Sequence, residues 1–188
     1  MKKVYIAGDM LTVASQMLRA KEREDIQAIG LPFYNPMDNK EINDKANAVQ
    51  EGLAERIVKQ DSKAIYESDI LVIEPQPFAL GTCVELGQVK GRKDLANQIL
   101  EISKDGSKSN DEVLFDILEI AGQIKNQKIY PHYEDVRRFK GVTESEDRRS
   151  LGINQYVYGV CLDVSDGKGF YEWDEILDEL KREGSENK

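Results

Sequence analysis

Asp69-Ile70-Leu71-Val72-Ile73-Glu74 is the stretch on which the fold turns. Its four apolar residues are continuous rather than alternating, the pattern of a central parallel strand buried on both faces. Pro75 and Pro77 end the run, and Gly81-Thr82 leads into a helix that contains Glu85. Moving back along the chain, Val4-Tyr5-Ile6-Ala7-Gly8 reads as a first short strand ending at glycine. Leu11, Ala14, Met17, Leu18 and Ala20 then recur at helical spacing. Leu31-Pro32-Phe33-Tyr34 is a second strand stopped by Asn35-Pro36, and Pro36–Lys40 is loop by composition. A longer helix over residues 46–67 follows, with Val49, Leu53, Ile57 and Ala64 roughly on one face.

The first ninety residues therefore alternate strand and helix three times. That alternation predicts right-handed crossovers and an α/β, doubly wound parallel sheet. Ligands of such sheets bind beyond the carboxyl ends of the strands, near the point where strand order reverses. The informative loops are then Gly8–Leu11, Asn35–Lys40 and Pro75–Glu85.

Beyond Lys90 the sequence is helical and polar. Asp94–Ser103 and Asp111–Lys125 read as helices separated by a loop at 104–110. The second has Val113, Leu114, Ile117, Leu118, Ala121 and Ile124 on its apolar side. Gln127–Tyr133 is expected as a fourth strand, and 140–153 as a charged loop. Asn154–Leu162 is apolar and ambiguous between helix and strand. Gly167-Lys168-Gly169 is a turn, followed by a short strand and an amphipathic helix carrying Trp173, Ile176, Leu177 and Leu180. The end, from Arg182 to Lys188, reads as frayed. No repeat or linker divides the chain, so 1–188 is expected to be one domain.

Composition narrows the function classes. With 188 residues the chain fits one domain that buries a core without disulfides. Apolar residues at 40% and charged residues at 32% suit a soluble globular protein. No run approaches the ~20 apolar residues of a membrane span, and the N-terminal apolar run is too short for a signal peptide. Lys and Arg number 26 against 35 Asp and Glu, a net charge of −9, which disfavours a polynucleotide or an anionic membrane surface as partner. A small, nearly neutral ligand is compatible. Cys83 and Cys161 form no C-x-x-C, which argues against a disulfide scaffold or structural zinc and suits a reducing cytoplasm. His132 is the single histidine, excluding a His-pair metal site.

Within Gly81-Thr82-Cys83-Val84-Glu85-Leu86-Gly87, a carboxylate just inside a helix at a strand's C-terminal end is placed to face a ligand. It also fits a plain first-turn acid. The glycine turn lacks the lysine and the spacing of a phosphate-binding loop. Asp61, in Gln60-Asp61-Ser62-Lys63, is, taken alone, better read as a solvated helical charge, and Tyr5 as a packed strand aromatic. If strands one and three are neighbours, Tyr5 comes close to the turn before Glu85 and can donate to it. Cys83 as a nucleophile would need His132 as its base; both are better read as ordinary structural residues.

The opening Val4–Gly8 strand, Pro36-x-Asp38-Asn39, Asp61, the strand ending at Pro75 and the Gly81–Gly87 segment, in that order and spacing, resemble the nucleoside 2-deoxyribosyltransferase family. The likeness covers roughly residues 3–90, returns at Tyr133-Glu134-Asp135-Val136-Arg137, and continues from Asn154 to the last helix. It implies a flavodoxin-like, doubly wound, mainly parallel five-stranded sheet with helices on both faces. A helical insertion of about thirty residues, roughly 92–125, would precede strand four. It implies Glu85 as nucleophile, Asp61 as the acid near the departing base, and Tyr5 as the residue orienting the nucleophile. Gly8, Asp9 and Met10, with Asp38 and Asn39, match segments lining the sugar and base pocket. Gly81 and Thr82 belong to the motif around the nucleophile. Asn154 is the counterpart of an asparagine that reaches a neighbouring subunit's sugar.

The implied chemistry is double displacement with retention at the anomeric carbon, as in retaining glycosidases. It needs no metal or organic cofactor. The implied partners are a deoxynucleoside and a free nucleobase, the implied assembly a homo-oligomer with a shared active site, and the implied setting deoxyribonucleoside catabolism and salvage. Ala79 departs from the pattern. By register it stands where the transferases carry a further carboxylate and the related 5'-monophosphate N-hydrolases a phosphate-binding serine. N-glycoside hydrolysis of a deoxynucleoside or its 5'-monophosphate is therefore the alternative, and a non-catalytic nucleotide-binding module is a second.

Overall fold

A computed structural model describes residues 2–44, 49, 51–132 and 153–186. β1 (Val4–Ala7) lies at the centre of a parallel sheet in the order β2-β1-β3, between β2 (Phe33–Tyr34) and β3 (Ile70–Ile73). All four residues of β1 are buried. β3 is an edge strand among the described residues, with Ile70 and Val72 exposed at 37% and 39%. The expectation that 70–73 is a central strand buried on both faces is thus corrected. An unbroken apolar run signals demand for burial; it does not count the strand's neighbours.

The five-stranded flavodoxin-like sheet is corrected as well. The described residues hold three paired strands and are mostly helical. Where strands four and five were expected, a single parallel bridge joins His132 to Tyr171. Pro131 explains part of this: it has no N–H to donate, and only its carbonyl engages, accepting from the Tyr171 N–H at 2.8 Å. The apolar run before it, Ile129-Tyr130, is two residues long. On the other side, only three residues separate Gly169 from the helix beginning at Trp173. Tyr133, the 134–137 segment and the charged stretch 140–152 lie outside the described residues.

The chain divides into two compact units, 1–85 with 130–188, and 86–129. In the first unit, α1 (Val13–Ile29) starts at Thr12, whose side chain accepts the Ser15 N–H at 3.1 Å, and ends at Gly30 with φ 79°. Contrary to the periodicity, Leu11 ahead of the helix and Met17 and Leu18 within it are exposed, and α1 buries Ser15 and Arg19. The reason is an ionic anchor. The Arg19 guanidinium donates to the Ala7 carbonyl at 3.0 Å, to Glu22 at 2.9 Å and to Glu74 at 2.7 Å, beyond the ends of β1 and β3. A buried guanidinium is tolerated only with such acceptors.

A 3₁₀ turn (Pro36–Asp38) and α2 (Lys40–Asn43) precede α3 (Leu53–Tyr66), which is shorter than the predicted 46–67. Ala54, Val58, Asp61 and Ile65 recur at i, i+4, i+7, i+11 and are all buried, so Asp61 lies on the apolar stripe of α3. The ambiguous 154–162 segment is helical, as α6 (Gln155–Val164). α6 packs on α3, where Ala54 clusters with Tyr158 and Leu162, with Ile153 and Phe170 against them. The helices approach this closely because Gly159 has no side chain. A Cβ there would lie 2.4 Å from the Ala54 carbonyl oxygen and 2.6 Å from Val58 Cγ2. Gly159→Ala is therefore expected to cost about 3 kcal/mol through overpacking against backbone. Gly91→Ala, on an exposed helical face with nothing within 4 Å, should instead gain about 0.5–1 kcal/mol from propensity. Urea midpoints of the two variants that move in the same direction would contradict this packing. The turn at Gly167 and Gly169, with φ 86° and 80°, leads to α7 (Trp173–Glu186).

α4 (Leu80–Ser103) is one continuous helix rather than two, and Glu85 is its last residue within the first unit. The second unit comprises the remainder of α4 and α5 (Asn110–Lys125), joined by residues 104–109. It contains the 92–125 stretch read as an insertion. α5 begins at a capping box, Ser109 with Glu112, and buries none of its residues; Leu114, Phe115 and Leu118 are exposed. Among the described residues no helix is long and apolar enough to cross a membrane.

Candidate active site

β1 and β2 pair with Tyr5 opposite Tyr34, which puts both rings on one face of the sheet. The rings stack 5.7 Å apart at 12°. Each hydroxyl then serves one acid. Tyr5 donates to Glu85 Oε1 at 2.5 Å, and Tyr34 donates to Asp61 Oδ1 at 2.8 Å. Glu85 comes from the first turns of α4 and Asp61 from the buried stripe of α3. Both are well buried, at 6% and 4% exposure. Two residues whose local sequence reads better as ordinary helix acids are thus interior carboxyls, brought together by a stacked tyrosine pair.

Burial dominates their electrostatics. Taking a carboxylate out of water favours its neutral form, and it pushes Glu85 up from 4.5 to about 7. The Tyr5 hydrogen bond opposes that rise, while the negative charge of Asp61 adds to it. Asp61 likewise moves from 3.8 to about 7 by burial, against the opposing hydrogen bond from Tyr34. Both phenols are raised well above their ordinary range, first by burial and then by the nearby carboxylates, so they act as donors. Two acids titrating near neutrality let one be charged while the other keeps its proton. That division suits an anionic nucleophile beside a proton donor.

Asn39 is drawn in behind Asp61, its Nδ2 donating to the Tyr34 hydroxyl at 2.8 Å and to Gln60 Oε1 at 2.5 Å. Gln60 donates onward to Glu41 at 2.7 Å. Thr82 is buried one turn before Glu85. Gly81, four residues before Glu85 on the same helix face, leaves room for Asn154. A Cβ at Gly81 would meet the Asn154 side-chain oxygen at 3.3 Å and its nitrogen at 3.6 Å. Asn154 itself caps α6, its Oδ1 accepting from the Tyr156 N–H at 2.9 Å and the Val157 N–H at 3.3 Å.

The other residues matched to the sugar and base pocket have partners of their own. Asp38 is exposed and paired with Arg23 at 3.0 Å. The bare face of Gly8 is filled by the Arg19 guanidinium, since a Cβ there would fall 1.3 Å from Nη1. Buried Asp9 faces the start of α1, with Oδ2 3.4 Å from the Thr12 N–H, and the Met10 carbonyl accepts from Gln16. Ala79 is buried just before α4. Cys83 is exposed, two residues from Glu85. His132 lies beside Trp173, with ring centres 5.5 Å apart. Among the described residues no group of three His, Cys, Asp or Glu side chains is arranged to hold a metal ion.

Sequence reasoning missed Tyr34, Gln60 and Tyr156. Tyr156 is buried, with its hydroxyl 3.4 Å from Ser62 Oγ. A signal for Tyr34 was present: it ends β2 next to the Asn35-Pro36 loop, at the carboxyl edge where ligands of parallel sheets gather. Scans against models of protein families and searches of curated proteins and of solved structures find no match to this chain.

Proposed function

We propose that the chain transfers a 2-deoxyribosyl group between nucleobases through a covalent glycosyl–Glu85 intermediate. The observation that carries this reading is the buried pair Glu85 and Asp61, each held by its own tyrosine hydroxyl. In the first half-reaction ionised Glu85 attacks the anomeric carbon. The C–N bond breaks as the C–O bond to Glu85 forms, and the leaving base takes a proton from Asp61. In the second, an incoming base attacks the same carbon from the vacated face. It gives its proton to Asp61 and releases the Glu85 carboxylate, so configuration is retained. Tyr5 fixes the Glu85 side chain and stabilises its charge. The low-dielectric setting that raises both acids also strengthens their hold on an oxocarbenium-like transition state.

The test is incubation of 2'-deoxyinosine with and without adenine, with products separated by chromatography. New deoxyadenosine that requires the enzyme is the expected result. Hypoxanthine released at the same rate without an acceptor would establish the hydrolase instead. Binding without turnover of any deoxynucleoside would leave only a ligand-binding module.

A further inference from the structure

We propose that Tyr34 is a positioning residue that decides which oxygen of Asp61 carries the proton; its use in releasing a nucleobase rests on the function proposed above.

The argument starts from Asn39. Its Oδ1 accepts the Glu41 N–H at 3.2 Å, capping α2, so its amide orientation is fixed and Nδ2 must be the donor. One of its N–H groups points to Gln60 Oε1 and the other to the Tyr34 oxygen. With that N–H on the oxygen, the hydroxyl hydrogen turns away from Asn39 and toward Asp61 Oδ1, 2.8 Å distant. Oδ1 is then an acceptor and cannot also be the protonated oxygen along that line. The proton of neutral Asp61 is assigned to Oδ2. The stack on Tyr5, itself bonded to Glu85, holds the Tyr34 ring in register with the nucleophile. Tyr34 from β2 acts on Asp61 directly, while the Asp61 charge is felt by Tyr5 from β1 and Glu85 from α4. Ser62, its neighbour on α3, faces Tyr156 of α6. Of these, it is Tyr34 whose hydroxyl donates to the Asp61 carboxyl.

The test is Tyr34→Phe, which keeps the stacked ring and removes the hydroxyl. Two readouts are compared with wild type: the ¹³C carboxyl titration of Asp61, assigned with Asp61→Asn, and turnover on two substrates. One substrate is 2'-deoxyinosine. The other is 4-nitrophenyl 2-deoxyriboside, whose leaving group departs without a proton. Tyr34 favours the ionised form of Asp61, so its loss should move the Asp61 titration to higher pH. Turnover of deoxyinosine should fall about tenfold, within the range of a misplaced general acid, with a clearly smaller loss on the nitrophenyl substrate. An Asp61 titration that stays in place overturns the proposal, as do equal losses on both substrates. If wild type turns over neither substrate, the transferase reading fails. The titration then decides alone whether Tyr34 governs the Asp61 carboxyl.

Discussion

Glu85→Gln is expected to reduce deoxyribosyl transfer by at least about 10⁴-fold, as loss of a covalent nucleophile does, and at the same time to stabilise the fold at neutral pH. The second half follows from burial. In the unfolded chain Glu85 loses its proton near 4.5; in the folded chain it holds it to about 7. Between those values the unfolded state has given up a proton that the native state keeps. Stability therefore falls as pH rises through that window and levels off above it. A rise of this size corresponds to roughly 3 kcal/mol at pH 8. Glutamine is neutral at every pH and still accepts from the Tyr5 hydroxyl, so most of that cost should vanish. Urea unfolding of wild type and variant at pH 5 and pH 8 measures it: the curves should nearly coincide at pH 5 and separate at pH 8, with Glu85→Gln the more stable. A variant that keeps its activity removes Glu85 from the mechanism. A variant equally or less stable at pH 8 contradicts the buried, raised carboxyl.

Part of this site was legible in the chain. Strand-like Val4–Ala7, the helix opening at Gly81 and the acid one turn inside it are local patterns, and local patterns survive folding. The approach of Tyr5 to Glu85 followed from one topological condition, that strands one and three be neighbours, and they are. What failed were the features set by distant partners. The apolar face of α1 does not decide its packing, because three acceptors fixed by β1, β3 and α1 itself capture Arg19. Asp38 and Asn39 are adjacent in sequence, yet the turn sends one to Arg23 on the surface and the other to Tyr34. The extent of the sheet was over-read because alternation of strand and helix in the first ninety residues says nothing of what continues past them. Asp61 shows the limit most clearly. Only its spacing from Ala54 and Val58 betrays that a charged residue lies on a buried stripe, and that spacing carries meaning once those two neighbours are known to be interior.

Asp61→Asn should lower turnover of deoxyinosine by about 10²–10³, the usual contribution of a general acid, and it should turn the bell of the pH profile into a single rise. On the proposed mechanism the productive form of wild type has Glu85 ionised and Asp61 protonated, and burial pushes both groups up to about 7. The kcat/KM profile is then a narrow bell around neutrality. Asparagine cannot lose a proton, so the alkaline limb disappears. On the acid limb Asp61 is still protonated and carries no charge, so that limb, set by ionisation of Glu85, stays close to its wild-type position. The residual activity should therefore rise through neutrality to a plateau that holds at alkaline pH, where the wild-type rate falls. The nitrophenyl deoxyriboside separates loss of proton donation from loss of site geometry. Its turnover needs Glu85 but no acid, so Asp61→Asn should retain most of the wild-type rate on it. A bell-shaped profile that persists in Asp61→Asn would assign the alkaline limb to another group. An equal fall on both substrates would mean that Asp61 shapes the site rather than protonating the departing base.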